Sequence, residues 1–321
     1  MRRFVIFGVV IGAIVLIWSG GWIFISNEIR NQVTLLGEAD GYAAPKVTCG
    51  RLDVGGYPFR FNLTCADATI LAADTTYALP EIEAAALVFQ PTLFHLRTIG
   101  PVTIKDAYLG GESRVDWERV EGSLRLTDWR IGRLSMLADN VVWSDTLITE
   151  TLIASAPHLE LHLADIPGQH DDAAGLSSLA GWLQADRLTF PAWTVSEGFV
   201  TAAVELSKLP DDLRMLSPDP IREWQAAGGR ITLTDIKGFE GDDTVTITGD
   251  VGISDTGLAE GTIEIASKGI VERSAGLIAP EMQPLIFGTA GDDGTRRQRL
   301  MIADGVIYLG MLPALWIAPF F

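Results

Sequence analysis

The chain carries no G-x-S-x-G elbow, no P-loop and no G-x-G-x-x-G turn, so the usual signatures of α/β-hydrolases, P-loop nucleotidases and dinucleotide enzymes are missing. Lys and Arg are scarce, 24 against 41 Asp and Glu, and the formal net charge is -17 even with Arg2 and Arg3 included. Such a balance argues against nucleic acid and against electrostatic docking on anionic lipid, both of which need clustered cations. Cysteine is nearly absent: only Cys49 and Cys65 occur. Helical patterns are few and none follows each strand, so a parallel α/β alternation is not supported, and no strict internal repeat is present.

One long hydrophobic run is present. Residues 4–25 hold no charged side chain, directly after Arg2 and Arg3, and as a helix they span about 33 Å, close to the roughly 30 Å hydrocarbon thickness of a bilayer. The arginines favour a cytoplasmic N-terminus, and Trp18 and Trp22 suit the far interface. A cleaved signal peptide with Ser19-Gly20-Gly21 as its processing site is the rival, but its apolar core is only about 7–15 residues. The organisation read here is an anchor over 1–26, a helical stalk and linker over 27–46, and a β domain over 47–321. Ile29, Val33 and Leu36 continue the helix until Gly37, and the best place for a break between two β lobes is 210–220.

From Val47 the period becomes two. Leu52 and Val54 alternate with Arg51 and Asp53, and after Gly55-Gly56-Tyr57-Pro58 come Phe59, Phe61 and Leu63 against Arg60, Asn62 and Thr64. The alternation recurs at Val102 and Ile104, Leu124 and Leu126, Leu159 to Leu163, Ile231 and Leu233, Val245 and Ile247, and Ile263 and Ile265. This spacing predicts a mainly β chain, an antiparallel meander with one greasy face and few helices, to which the resemblance given below adds an elongated, curved form. Short helices are expected after Asp219-Pro220, over Leu176 to Leu183 and over Val271 to Ile278. A looser recurrence places an apolar residue beside Ala-Asp, at Cys65-Ala66-Asp67, Leu137-Ala138-Asp139 and Gln184-Ala185-Asp186. Residues 309–321 are uncharged and aromatic, too short to cross a bilayer, and read either as a segment packed on the sheet or as a plug at the end of a groove.

Two cysteines on the exported side of an anchor predict one disulfide. Cys49 and Cys65 differ in parity, so a regular ladder with Leu52 opposite Leu63 and Val54 opposite Phe61 needs one extra residue, a bulge at Gly50. His158-Leu159-Glu160-Leu161-His162 is the only metal-like cluster, but on a strand its histidines stand roughly 13 Å apart, and one tetrahedral ion needs ligands at about 2 Å. No metal, cofactor or catalytic residue is assigned, and the chain is read as a non-enzyme.

The anchor ending in Trp18-Ser19-Gly20-Gly21-Trp22, the hairpin Gly56-Tyr57-Pro58-Phe59-Arg60-Phe61, the run Gly122-Ser123-Leu124-Arg125-Leu126 leading to Arg133-Leu134-Ser135, and Ala303-Asp304-Gly305 before Tyr308-Leu309-Gly310 resemble the DUF2125 family of uncharacterised alphaproteobacterial envelope proteins. Trp224, Gly228-Gly229-Arg230-Ile231, Gly249-Asp250 and Gly261-Thr262-Ile263 look like AsmA-type proteins, which implies an inner-membrane anchor and a curved sheet with a lipid-lined groove. The resulting expectation is a single-pass inner-membrane protein with its bulk in the periplasm, membrane lipids as partners, and a role in lipid handling or envelope homeostasis. Phe59, Phe61, Leu63, Val102, Ile104, Leu124, Leu126, Ile231 and Leu233 are the groove candidates. A binding or scaffolding module with a filled β-sandwich core gives the same period and stays open at this point.

Overall fold

The computed structural model describes residues 2–41, 45–108, 110–212, 220–273 and 278–320. It separates into two compact units, Met1–Arg114 and Val115–Phe321. The mainly β, antiparallel class read from the sequence holds in each. Unit 1 opens with helix α1 (Arg2–Leu36), followed by β1 (Lys46–Gly55), β2 (Arg60–Ala72), β3 (Thr75–Leu87), β4 (Gln90–Ile99) and β5 (Val102–Asp106). Strands β1 to β4 form a meander, and β5 pairs with the outer half of β3. The expected anchor and stalk are one helix of about 52 Å, apolar enough to be a candidate membrane span. The stalk does not stand free: Val33, Thr34 and Gly37 share a cleft with Val47, Thr48 and Leu52 of β1.

The apolar positions of β1, β2 and β3 change parity part-way along. Val47 and Cys49 give way to Leu52 and Val54, Ile70 and Ala68 to Cys65 and Leu63, and Tyr77 and Leu79 to Ile82 and Ala84. The change falls on one line of positions that the register skips, Gly50, Asp67 and Pro80, with Asp67 in the left-handed region at φ 51°. A left-handed residue inside a strand turns the side chains beyond it, as a bulge does, and proline opposite it has no N–H to leave unpaired. The disulfide Cys49–Cys65 crosses this line with Cα atoms 5.2 Å apart. The expected extra residue at Gly50 is absent: Leu52 stands opposite Cys65 and Val54 opposite Leu63 without a register shift. The kink at Asp67 brings the sulfurs together instead, and Gly50 fits because a Cβ there would lie 2.9 Å from that of Asp67.

β6 (Gly111–Asp116) runs across the division. Unit 2 then contains β7 (Arg119–Thr127), β8 (Arg130–Asp145), β9 (Thr151–Asp165), β10 (Leu176–Phe190), β11 (Val195–Pro210), helix α2 (Pro220–Ala226), β12 (Arg230–Glu240), β13 (Asp243–Ile253), β14 (Ala259–Lys268), helices α3 (Ile270–Arg273) and α4 (Gln283–Phe287), β15 (Arg296–Ala303), β16 (Val306–Leu309) and β17 (Leu312–Trp316). Each strand from β7 to β17 pairs antiparallel with the next. The same kink recurs at Asn140 (φ 53°), Pro157 and Arg187 (φ 49°), where Ala138 gives way to Val141, Leu159 to Ala156 and Ala185 to Leu188. The Ala-Asp recurrence in the sequence marks both kink lines.

The helix expected over Leu176 to Leu183 is instead the first half of β10, because Leu179, Gly181 and Leu183 pair on both sides, with β9 and β11. Helix α2 forms where expected. Asp219 lies outside the described residues, but Gly228 and Gly229 close the helix and Trp224 Nε1 donates to Ser207 O at 2.7 Å. Of the expected 271–278 helix, α3 forms as far as Arg273 and 274–277 lie outside the described residues. The expected break at 210–220 is partly outside them too; β11 and β12 on its two sides are directly paired. The apolar C-terminal residues extend the sheet as β17, with Leu312, Leu315 and Trp316 exposed. Leu309, the first of them, is buried in the apolar row, whereas 312–316 are exposed.

Candidate functional site

Register carries one apolar row across unit 2: Leu124, Leu134, Leu163, Gly181, Val204, Leu233, Gly249, Ile263, Leu300 and Leu309 stand opposite one another from β7 to β16. A parallel row runs Met136, Leu161, Leu183, Ala202, Ile236, Ile247 and Ile265. The proposed Leu124, Leu126, Ile231 and Leu233 therefore share a face, and they are only half-buried. In the whole described chain the buried apolar side chains are Val54, Cys65, Ala68, Ala156, Leu179, Ala185, Ala259, Phe287, Ile302 and Leu309. A sandwich of two packed sheets would bury its inner rows far more completely.

Over β10 to β14 this face deepens into a cavity of about 460 Å³. Its floor is Leu188 and Phe190 of β10, Val200 of β11, Val245 and Ile247 of β13 and Ile265 of β14. Its cover is Trp193, Ile270 of α3, Ile278, and Ile286 and Phe287 of α4. Phe287 is buried and meets the Trp193 ring edge-on at 6.5 Å. The kink at Arg187 makes this possible, since it turns Leu188 and Phe190 onto the face of Ala185 and Val200.

The polar atoms of the cavity lie in one latch. Arg273 of α3 donates Nε to Asp243 at 2.6 Å, Nη1 to Thr194 O at 2.9 Å, and pairs with Glu240. Glu240 also accepts the backbone N–H of Ser196 and Glu197, at 2.9 and 2.7 Å, and the Ser196 hydroxyl. Those backbone donors, with Arg273 adding a smaller share, hold the Glu240 carboxyl down at about 2 from an ordinary 4.5. Gly269, at φ +73°, lets the chain turn into α3 against Asp243, whose carboxylate occupies the space a Cβ would need.

A depressed carboxyl stabilises the fold above its ordinary pKa and stops doing so as the pH falls through its folded value. Between pH 4.5 and about 2 the unfolding free energy of the native chain is expected to fall more steeply than that of Glu240→Gln. Denaturant titrations giving both proteins the same pH slope would refute the latch.

Elsewhere the nominated residues have other roles. Phe61 is stacked under Trp22 of α1 at 5.6 Å and Phe59 tilts against Trp18 at 6.3 Å. Both are taken up by the helix rather than by a groove, because α1 lies along the β1–β2 hairpin instead of standing off as a stalk. Leu63, opposite Val54 and Ala84, and Ile104, opposite Tyr77, fall on one face through the kink, with Val102 alternating onto it. None of the nine lines the cavity. Its signals in the sequence were Phe190-Pro191-Ala192-Trp193, which carried no reading, and the stretch 271–278, read only as a short helix.

On the opposite face of β8 to β10, Glu160 bridges His158 and His162 at 2.8 and 3.2 Å. Glu160 and then Asp139 raise the His158 pKa, while Glu160 and Asp139 are themselves lowered, chiefly by His158. Among the described residues no group of three His, Cys, Asp or Glu side chains is arranged for a metal.

A family model described as an uncharacterized protein conserved in bacteria (DUF2125) matches residues 22–316. The chain belongs to that family. No curated protein and no solved structure matches it. The matched span begins at Trp22, so it takes in the Trp22–Phe61 stack of unit 1 but not Trp18 or Ser19, and it covers every residue that lines the cavity in unit 2.

Proposed function

We propose that this DUF2125 protein is a single-pass, non-catalytic membrane protein that holds lipid acyl chains in the cavity over β10 to β14 and along the apolar face that continues from it. The observation that carries the reading is the cavity's chemistry: about 460 Å³ of aliphatic and aromatic wall, with its charges confined to one satisfied latch. Ligand pockets usually occupy about 300–1,000 Å³, and burying a chain gains about 0.8 kcal/mol per methylene before ordering costs. Glu240 and Asp243 outnumber Arg273 in the lining, which suits an uncharged or zwitterionic lipid better than an anionic headgroup.

The rest of the reading follows the anchor. Arg2 and Arg3 keep the N-terminus cytoplasmic, and both β units lie on the far side, in the periplasm of a Gram-negative envelope. The Cys49–Cys65 bond suits that oxidising compartment. The resemblance of residues 224–263 to AsmA-type proteins points the same way, toward lipid handling or envelope homeostasis. A filled-core scaffold is disfavoured by the half-buried apolar rows.

The test is mass spectrometry of organic extracts from the full chain, purified from native membranes in mild detergent. Acyl lipid near one molecule per chain, above an equally treated anchor protein, is the expected result. Lipid no higher than in that control would overturn the reading.

A further inference from the structure

The polar end of α1 lies against the start of β1, while the tip of the β1–β2 hairpin is fastened to the apolar part of the helix. Trp18 Nε1 donates to Pro58 O at 3.0 Å, Trp22 Nε1 donates to Arg60 O at 3.0 Å, and the Ser19 and Tyr57 hydroxyls are hydrogen-bonded at 2.8 Å. Trp22 is stacked on Phe61 and meets Tyr57 edge-on at 5.5 Å. These partners fix the height of the hairpin tip along the helix. Trp18 lies seven residues before Ile25, the last apolar residue ahead of Ser26-Asn27-Glu28, which is about 10 Å along a helix axis.

A tip held at that level beside a membrane-spanning helix is inside the bilayer. We infer that Tyr57-Pro58-Phe59 is a membrane-inserted tip, seated among lipid acyl chains just below the headgroups of the leaflet on the β-domain side, with Arg60 reaching lipid phosphate. The inference rests on the reading of α1 as a span. Tyr57 and Phe59 are 51 % and 56 % exposed, and Trp18 41 %, an apolar cluster that gains by meeting lipid. Arg60 is one helical turn nearer the aqueous end, level with Trp22, where a long cation can keep its stem in lipid and its head among phosphates. Of the polar groups that enter with the tip, Pro58 O, Arg60 O and the Tyr57 hydroxyl are paired with α1, and Phe59 O accepts the Val88 N–H at 3.0 Å, as an apolar surrounding demands.

Full-length protein reconstituted in phosphatidylcholine vesicles allows a direct test, because the native cysteines are joined and an added one is labelled alone. A bimane is placed at Phe59→Cys, at Ile14→Cys within the span, and at Glu121→Cys on β7, and each is challenged with phosphatidylcholine spin-labelled high on the acyl chain. Labels at 59 and 14 should lose more than half their emission and the label at 121 almost none. Quenching at 14 with none at 59 overturns the inserted tip while leaving the anchor in place; no quenching at 14 overturns both. Adding Arg60→Ala to the Phe59→Cys protein should reduce quenching at 59, and unchanged quenching would remove the phosphate contact from the inference.

Discussion

Replacing Cys49 by serine is expected to lower hydrogen-exchange protection in β1, β2 and β3 by about a hundredfold. The bond closes a loop with a sequence separation of 16, for which loop entropy gives about 3 kcal/mol, and that energy is about two powers of ten in an opening equilibrium. The position of the bond adds to the effect. It spans the line Gly50, Asp67 and Pro80, where the register skips, so it ties the two halves of β1 and β2 together across the kink. Reductant should produce the same loss in the native chain and none in the variant. Protection within a few-fold of the native value would mean that the kink is held by packing alone.

Much of this architecture is written in residue type. The charge-free run produced a helix because length and apolarity suffice for one, and the alternating rows produced strands whose partners are the neighbouring rows in sequence. What period could not reveal is where the two faces exchange parity. A left-handed Asp67 or Asn140 looks like any polar strand residue, and Pro80 and Pro157 read as strand breakers although they lie inside strands. Only the repetition of Ala-Asp beside such positions hinted at it. The misassigned helix at Leu176 has the opposite cause: apolar residues at 176, 179, 180 and 183 fit a helical stripe, but Leu179 and Leu183 face one way on a strand with Gly181 between them, and partners on both edges outweigh a local pattern.

The cavity was invisible for a related reason. Its floor is drawn from β10, β11, β13 and β14, and its cover from segments that follow β10 and β14. No local window contains both. The nominated Leu124, Leu126, Ile231 and Leu233 belong to the same face but lie outside the cavity lining. Trp193, Ile270, Ile286 and Phe287 exist only over Val245, Ile247 and Ile265, so it is the short helices after β14 that turn an apolar sheet into a container.

Ile247→Asp is accordingly expected to empty the protein of lipid while leaving it folded. Ile247 stands between Ile236 and Ile265 and is the last residue of β13 on the cavity floor, where it is half-buried. Its carboxylate can therefore hydrate when no ligand is present and loses that water when an acyl chain arrives. An unpaired polar group covered in this way costs several kcal/mol, and each 1.4 kcal/mol is about tenfold in affinity, so retained lipid should fall at least a hundredfold. Leu126→Asp supplies the contrast. Leu126 lies on the same face, opposite Ile131, but outside the covered region, and its variant should keep most of the lipid if the cavity is the principal site. Equal loss in both variants would spread the binding over the open face, and full retention in a monodisperse Ile247→Asp protein would remove the cavity from lipid binding altogether.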